Sequence, residues 1–247
     1  KVHVNFGEPV FLDDLLKAHG ADKIKIEHND DPIPQEISNA VNSSANAILE
    51  NINRAVVINP VSLLSLILLA TPKHTLDEEI CVKQLDTYRD LLTAIPYDGR
   101  TQVTPLSGKE IIAYGLKWKL IKRVKHVLGD IIAIADNQAI LLTYFRNNIL
   151  HAFVLPSLVA ALVEHNCRIS KADLLNVIRT LYPFLKAELF LKWKDSEINA
   201  QVTEYIDALA QANLIFVDDE DFIFCPTPNS EDHNQLAVLA APVRQSL

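Results

Sequence analysis

The stretch LTYFRNNILHAFVLPSLVAALVE, residues 142–164, decides how this chain folds, because it is long and apolar yet densely polar at its beginning. Its pattern predicts one helix that leaves a strand, is ended or bent near Pro156, and runs to about Glu164. Leaving a buried polar group unpaired costs about 1–3 kcal/mol. The polar side chains of the first turns must therefore face water, one another or another molecule.

The polar residues at the start of this helix are the best candidates for a functional site. At about 100° per residue, four of them share roughly one third of the helix surface: Tyr144, Asn147, Asn148 and His151. Arg146 projects elsewhere. One interpretation is an internal network that ties the helix to its neighbours. The other is a polar face for another domain or an anionic ligand, and it makes Arg146, Asn147, Asn148 and His151 the predicted substrate-binding residues.

The composition is that of a globular protein with an acidic surface. The chain has 247 residues, 49% hydrophobic and 22% charged, with a formal net charge of −8. Such a charge disfavours nucleic-acid binding, so no nucleic-acid partner is expected. Cys81, Cys167 and Cys225 are widely spaced without a CxxC motif. This spacing predicts a reducing compartment, no disulfide framework and no metal site.

The beginning of the chain predicts the edge of another domain. Apolar and polar residues alternate over Val2–Phe6, which predicts a short strand, and a helix is predicted over Phe11–Ala18. The chain opens in this strand without a signal sequence or initiator methionine, so we expect it to be part of a longer protein. The polar stretch Ala21–Pro34 is a predicted loop and domain boundary.

Three helices are predicted next, over Ile37–Arg54, over Pro60–Thr71 and from Thr75 to about Ile95. Asn59 suits the N-cap of the second helix and Pro60 its first position. At 1.5 Å per residue this helix is only about 18 Å long, short of the ~30 Å of a bilayer core. A buried core helix is therefore predicted; a re-entrant or membrane-surface helix is the alternative. Thr75, with Glu78 three residues on, is a predicted capping box.

The middle of the chain carries its basic residues. A helix is predicted over Lys109–Lys119. The basic cluster comprises Lys117, Lys119, Lys122, Arg123, Lys125 and His126. It is either a solvated face or a contact for anionic lipid or CoA phosphates. Two apolar runs joined by Asp136-Asn137 then predict a β-hairpin over residues 130–143.

The last eighty residues have the pattern of a winged helix. Ser170 is the predicted N-cap of a helix over Lys171–Tyr182, and two further helices are predicted over Phe184–Trp193 and Ser196–Ala212. Two strands around an acidic turn follow in LIFVDDEDFIFC, residues 214–225. A final helix over Ser230–Leu247 is predicted to be interrupted by Pro242.

The chain lacks the familiar catalytic sequence motifs. It contains no GxSxG, HExxH or GxGxxG motif and no phosphate-binding glycine loop. No cofactor is therefore predicted.

Several stretches nevertheless resemble one enzyme family. They are VNFGEP (4–9), INRAVVINPVSLLSLILLA (52–70), GDIIAIADNQAILLTYFRNN (129–148), TYFRNNILHAFVLPSLVAA (143–161) and LYPFLKAELFLKW (181–193). In this order they resemble the bacterial membrane-bound glycerol-3-phosphate acyltransferases, over nearly all of the chain. The RNNILHAFVLPSL and LYPFLKAELFL blocks are specific to that family.

The resemblance implies a function for the parent protein. The family transfers an acyl chain from acyl-CoA or acyl-carrier protein to the 1-hydroxyl of sn-glycerol 3-phosphate and makes lysophosphatidate, the first step of phospholipid synthesis. It further implies that VNFGEP closes the α/β catalytic domain, that the membrane lipid surface is a partner, and that the protein lies at the cytoplasmic face of the bacterial inner membrane.

The family's catalytic signature is absent. That signature is a His and an Asp separated by four residues, with the His as general base. Of the 8 histidines, only His3 and His74 have a carboxylate five residues on, and in both cases it is a glutamate. His3 and Glu8 face opposite sides of a strand, and His74 and Glu79 lie about 140° apart on a helix. No catalytic residue is therefore assigned to this chain.

The predicted fold is mainly α with small β elements (α+β). Residues 1–20 are the last strand and helix of the acyltransferase domain, residues 21–168 a helical bundle with the 130–143 hairpin, and residues 169–247 a winged-helix-like subdomain. The predicted role is a structural, substrate-site-completing or regulatory part of the acyltransferase, inactive alone. The alternative is a non-enzymatic, winged-helix-like protein-interaction module.

Overall fold

The computed structural model describes residues 4–24, 32–127 and 129–244. Within these ranges the chain is mainly helical, with one two-stranded and two three-stranded sheets. The predicted class, mainly α with small β elements, is confirmed.

The N-terminal segment lies on the outside of the molecule. Helix α1 spans Leu12–Ala18 and contacts α2, Gln35–Arg54, in which Ala40 is the buried residue. The predicted strand Val2–Phe6 is wrong for residues 4–6, which pair with no strand among the described residues. The rest of that strand, and residues 25–31 of the predicted 21–34 loop, lie outside the described residues.

The predicted buried helix is confirmed. Helix α3 spans Pro60–Ala70, and every residue from Val61 to Ala70 is buried. The side chain of Asn59 caps it by accepting hydrogen bonds from the amides of Val61 and Ser62, both at 3.0 Å. It follows β1, Val57–Ile58, which pairs in parallel with β3, Gln102–Val103.

The predicted cap of the next helix is wrong by two residues. Thr75 lies in strand β2, Thr75–Asp77, and helix α4 spans Glu78–Ala94. Asp77 is the cap, since its Oδ1 accepts from the amides of Glu79 at 2.9 Å and Ile80 at 3.2 Å. Thr75 is extended because it pairs with Ala133.

The predicted hairpin over 130–143 is also wrong. Helix α5, Gly108–Lys117, leads into β4, Ile121–Val124, and β4 pairs antiparallel with β5, Ile131–Ile134. The sheet order is β2-β5-β4, so both edges of β5 are already paired. The second predicted strand has no free edge there and forms helix α6, Ala139–Asn147.

The apolar stretch 142–164 lies in two helices. Helix α6 ends at Asn147, and α7 spans Leu150–Asn166 at 86° to it. The prediction of one helix is wrong, and Pro156 neither ends nor breaks α7. Among the described residues, no single helix is long and apolar enough to cross a bilayer, although α6 and α7 together pass that test of length and composition.

The C-terminal part begins with β6, Arg168–Ser170, and α8, Lys171–Leu189. Ser170 caps α8 as predicted, by accepting from the amide of Asp173 at 3.1 Å. The prediction of a separate helix over 184–193 is wrong, because α8 continues through Pro183 to Leu189. Phe190 follows in the left-handed conformation and ends the helix. The remaining elements are α9 (Ile198–Gln211), β7 (Phe216–Val217), β8 (Phe222–Phe224) and α10 (Glu231–Arg244).

Helix α7 is the centre of the fold. All its residues from Leu150 to Ala160 are buried, which is the property of a helix covered on every side. It packs most extensively on α10 and also on α8 and α9. One continuous core therefore extends from Val56 to Val243.

Candidate functional site

The break between α6 and α7 separates the predicted substrate-binding residues. Arg146, Asn147 and Asn148 lie at the end of α6, where both asparagines are exposed and Arg146 is half-buried. The Arg146 guanidinium donates to Asn147 Oδ1 at 3.1 and 3.2 Å. His151 lies on α7 and is only 4% exposed. The predicted common face of Tyr144, Asn147, Asn148 and His151 is therefore wrong, because these residues lie on two helices and not on one.

His151 belongs to an internal contact instead. Its Nε2 lies 3.1 Å from the main-chain oxygen of Asn53, which can only accept, so Nε2 carries the proton. The Tyr97 ring packs edge-on against the imidazole with centroids 4.7 Å apart. Burial lowers the pKa of His151 to about 4, and the hydrogen bond to Asn53 opposes this shift. His151 therefore stays neutral and ties α7 to the end of α2.

His151 makes the stability of the chain depend on pH. Its pKa is about 4 in the folded chain against 6.5 in the unfolded chain, so between these values the unfolded state binds more protons. The contribution of His151 is complete above pH 6.5 and is lost as the pH falls toward 4. Between pH 7 and pH 5 it should lower the free energy of unfolding by about 2 kcal/mol.

The measurement is urea unfolding at pH 7 and pH 5. A His151→Gln variant keeps a donor near the position of Nε2 for the Asn53 oxygen but has no titrating ring, and we expect it to lose this component of the pH dependence. A matched His165→Gln variant changes an exposed histidine of the same helix and should keep it. Equal pH dependence in His151→Gln and the unaltered chain would contradict the assignment.

A cavity of about 370 Å³, which was not predicted from the sequence, lies beside this contact. Its lining residues are Arg54, Lys192, Trp193, Glu197, Ala200, Gln201 and Glu204. Burial lowers the pKa of Lys192, while Asp98, with a carboxylate oxygen 3.7 Å from Nζ, opposes that shift. Arg54 and Lys192 are distant in sequence, so no local pattern could have grouped them. The positive charges of Arg54 and Lys192 are balanced in the cavity lining by the carboxylates of Glu197 and Glu204. The lining therefore does not favour an anionic ligand.

The basic cluster is partly neutralised within the chain. Arg123 donates to both carboxylate oxygens of Glu78 at 2.6 Å, and Lys122 contacts Asp136 at 2.7 Å. Lys117 and Lys119 are exposed on either side of Trp118, which is 60% exposed. The solvated-face interpretation therefore holds for part of the cluster, and a surface with lysines around an exposed indole remains.

Many of the exposed apolar side chains lie toward the N-terminal end of the described residues. Nine of the nineteen large apolar side chains exposed among the described residues lie between positions 4 and 52. On α2, Val41, Ile48 and Ile52 are 60, 49 and 61% exposed and repeat at helical spacing on one face. Together with Leu12 of α1 and Phe11 just before it, 61 and 63% exposed, they make up what we call the α1–α2 surface.

This surface is held in place by polar contacts. Asn5 Nδ2 donates to the main-chain oxygens of Ala55 at 3.0 Å and Arg100 at 3.1 Å, and Asn51 Nδ2 donates to that of Glu8 at 3.2 Å. A groove of about 210 Å³ runs between this segment and α2, where Ile48 and Ile52 line it. Within the described ranges, no group of three or more metal-ligating side chains accompanies any of these surfaces.

Comparison with known proteins identifies the family. A sequence model of the glycerol-3-phosphate acyltransferase C-terminal region matches residues 1–247. The chain belongs to this family. It is 39% identical over 227 residues to a glycerol-3-phosphate acyltransferase of Xanthomonas campestris, covering 90% of this chain and 25% of that protein. It is 37% identical over 251 residues to that of Pseudomonas aeruginosa, covering 100% and 30%.

A relative with lower sequence identity bears the same name. The glycerol-3-phosphate acyltransferase of Xylella fastidiosa is 34% identical over 249 residues, which are 100% of this chain and 29% of that protein. The chain thus spans between a quarter and a third of the length of these relatives. The resemblance stated from the family-specific blocks is confirmed.

Proposed function

We propose that this chain is the C-terminal region of an sn-glycerol-3-phosphate 1-O-acyltransferase. The parent enzyme would transfer an acyl chain from acyl-CoA or acyl-carrier protein to glycerol 3-phosphate and yield lysophosphatidate. The match of the family's C-terminal region to all 247 residues carries this proposal. No histidine of the chain is followed five residues later by aspartate, so the general base would come from elsewhere in the enzyme.

The role of the region is to support the catalytic domain through the α1–α2 surface. A surface of this apolar character is costly to leave in water, at roughly 25 cal/mol per Å². The family relatives are far longer than this chain, so the rest of the enzyme is available to cover the surface. In the predicted division, residues 1–20 belong to the acyltransferase domain, residues 21–168 to the helical region and residues 169–247 to the last subdomain. The rest of the acyltransferase domain would then cover the surface that its own residues 11 and 12 form with α2.

Arg146 is the residue proposed to complete the glycerol-phosphate side of the active site. Its guanidinium is held only by the neutral amide of Asn147 among the contacts described, so its charge is not neutralised there. Asn147 and Asn148 would add donors beside it, whereas the burial of His151 leaves that residue a positioning role at most.

An Arg146→Ala change in the full-length enzyme tests this role. Loss of a hydrogen bond to a charged group is worth about 1.5–3 kcal/mol, so kcat/KM for glycerol 3-phosphate should fall roughly tenfold or more. The measurement is acyl transfer per folded molecule at varied glycerol 3-phosphate. The matched control is Arg179→Ala on α8, where the arginine likewise contacts an asparagine, Asn176. Unchanged kinetics in Arg146→Ala with a lower yield of soluble enzyme would reduce Arg146 to a structural residue.

The basic cluster is the proposed contact for the membrane lipid surface. Trp118 lies between exposed Lys117 and Lys119, and α6 adds Ile140 and Leu141, 77 and 44% exposed. The main-chain amide of Ala135 donates to the oxygen of Leu120 at 3.0 Å, which joins the end of β5, just before α6, to the segment after Trp118. Lysines beside apolar and indole side chains suit an anionic bilayer surface. The position at the cytoplasmic face of the bacterial inner membrane is proposed from the family resemblance, and this surface is the part of the chain that would contact the lipid.

A second candidate function is a winged-helix-like protein-interaction module. The order α7, β6, α8, α9, β7, β8, with the sheet order β6-β8-β7, supports a winged-helix-like arrangement of the last subdomain. Its turn Asp218–Asp221 is acidic, which disfavours phosphate backbones, so a protein partner is preferred to a nucleic acid. The α1–α2 surface lies outside this subdomain, so this surface favours the acyltransferase-supporting role over the interaction module.

A further inference from the structure

Two cysteines that are far apart in sequence lie side by side at the ends of two paired strands, Cys167 just before β6 and Cys225 just after β8. Strand β6 pairs antiparallel with β8, with Arg168 opposite Phe224. The next pair along this register is Cys167 and Cys225. The main-chain amide of Cys225 donates to the oxygen of Cys167 at 3.0 Å, which extends the pairing to these two residues.

The main-chain hydrogen bond brings the two cysteines within reach of a disulfide. Residues bonded in this way have Cα atoms roughly 5.5 Å apart, inside the range of about 4.4–6.8 Å found in disulfides. Cys167 itself ends the helix and not a strand: its φ is 57°, and its amide donates to the oxygen of Val163 at 2.9 Å. The two thiols do interact: the pKa of Cys225 is raised first by burial and then by a side-chain hydrogen bond with Cys167.

The third cysteine provides an internal contrast. Cys81 is 0% exposed, and burial raises the pKa of its thiol to about 12, with Glu78 and Asp77 adding to the shift. A buried thiol of this kind is unreactive. Cys167, in contrast, is exposed at the end of α7 and can be reached by a reagent from solvent.

We propose that Cys167 and Cys225 form a reversible intramolecular disulfide when the protein meets a hydroperoxide. The Cys167 thiolate attacks one oxygen of hydrogen peroxide and becomes a sulfenic acid, while the other oxygen leaves and is protonated to water. The Cys225 thiolate then attacks the sulfenic sulfur, and a second water leaves. Two thiols and one hydrogen peroxide thus give one disulfide and two waters, and a dithiol restores the thiols by exchange.

The disulfide would join the end of α7 covalently to the end of β8. Cys167 ends α7, and Cys225 begins the connection from β8 to α10. A disulfide there closes α8, α9, β7 and β8 into one covalent loop and prevents β6 and β8 from separating. Oxidation therefore restricts the movement of this subdomain relative to the central helix α7. The inference rests on the register of β6 and β8 and is independent of the proposed acyltransferase role.

The test is peptide mapping of the full-length protein after treatment with hydrogen peroxide. We expect a cross-linked Cys167–Cys225 peptide that disappears on reduction with dithiothreitol, and a higher melting temperature of the oxidised protein. A Cys81→Ala variant should form the same cross-link, whereas Cys167→Ser and Cys225→Ser should not. The proposal is overturned if Cys167 is oxidised to the sulfinic acid while Cys225 stays free, or if Cys167 forms disulfides only between molecules.

Discussion

Replacing Ile48 and Ile52 with aspartate in the full-length acyltransferase is expected to lower acyl transfer from acyl-CoA to glycerol 3-phosphate at least about tenfold. Both side chains are about half exposed in this chain and line the groove of the α1–α2 surface. If the catalytic domain covers this surface, two carboxylates would be buried without partners. Each such burial costs several kcal/mol, whereas an exposed aspartate at the same position costs little.

The matched control is a double aspartate variant on another exposed helix face. Val177 and Phe184 of α8 are 38 and 73% exposed and also lie seven residues apart. We expect the Val177→Asp/Phe184→Asp enzyme to retain its activity, with both variants shown to be folded by circular dichroism. Equal loss in the two variants would contradict docking through the α1–α2 surface. Loss of vesicle binding alone, with activity in detergent unchanged, would assign that surface to the membrane instead.

Elements with a strong local signal could be predicted from the sequence. Asn59-Pro60 before a long apolar run specifies both the start and the burial of α3, because the cap bonds and the proline preference are made within four residues. Ser170 marks the start of α8 for the same reason. These contacts depend on neighbours in sequence, so no tertiary information is needed.

Elements decided by distant partners could not be predicted. Thr75 has a capping pattern, yet it is extended because β5 lies beside it. The run over 138–143 has an apolar strand pattern, yet it is helical because β4 and β2 already occupy both edges of β5. Pairing between distant segments overrides local propensity in both cases.

The candidate site shows the same division. The sequence indicates that 144–151 is densely polar, but not that the helix breaks after Asn147 and buries His151 against Asn53 and Tyr97. The proximity of Cys167 and Cys225 was likewise invisible, because 57 residues separate them in sequence. Strand register, and not spacing, brings these cysteines together.

The isolated region, residues 1–247, is expected to have no acyltransferase activity. No histidine in it is followed five residues later by aspartate, and a missing general base alone removes about 10²–10⁴-fold of rate. The chain nevertheless has its own continuous core from Val56 to Val243, so it should unfold cooperatively when purified. Absence of activity in the isolated region would then reflect the absent general base and not a failure of the region to fold.

The most direct measurement is acyl transfer from acyl-CoA to labelled glycerol 3-phosphate, made side by side on the full-length protein and on purified residues 1–247. A thermal melt of the isolated region first establishes that it is folded. The account predicts lysophosphatidate formation by the full-length protein and none above background by the isolated region. Turnover by residues 1–247 alone would contradict it, because the chain would then contain a catalytic centre of its own.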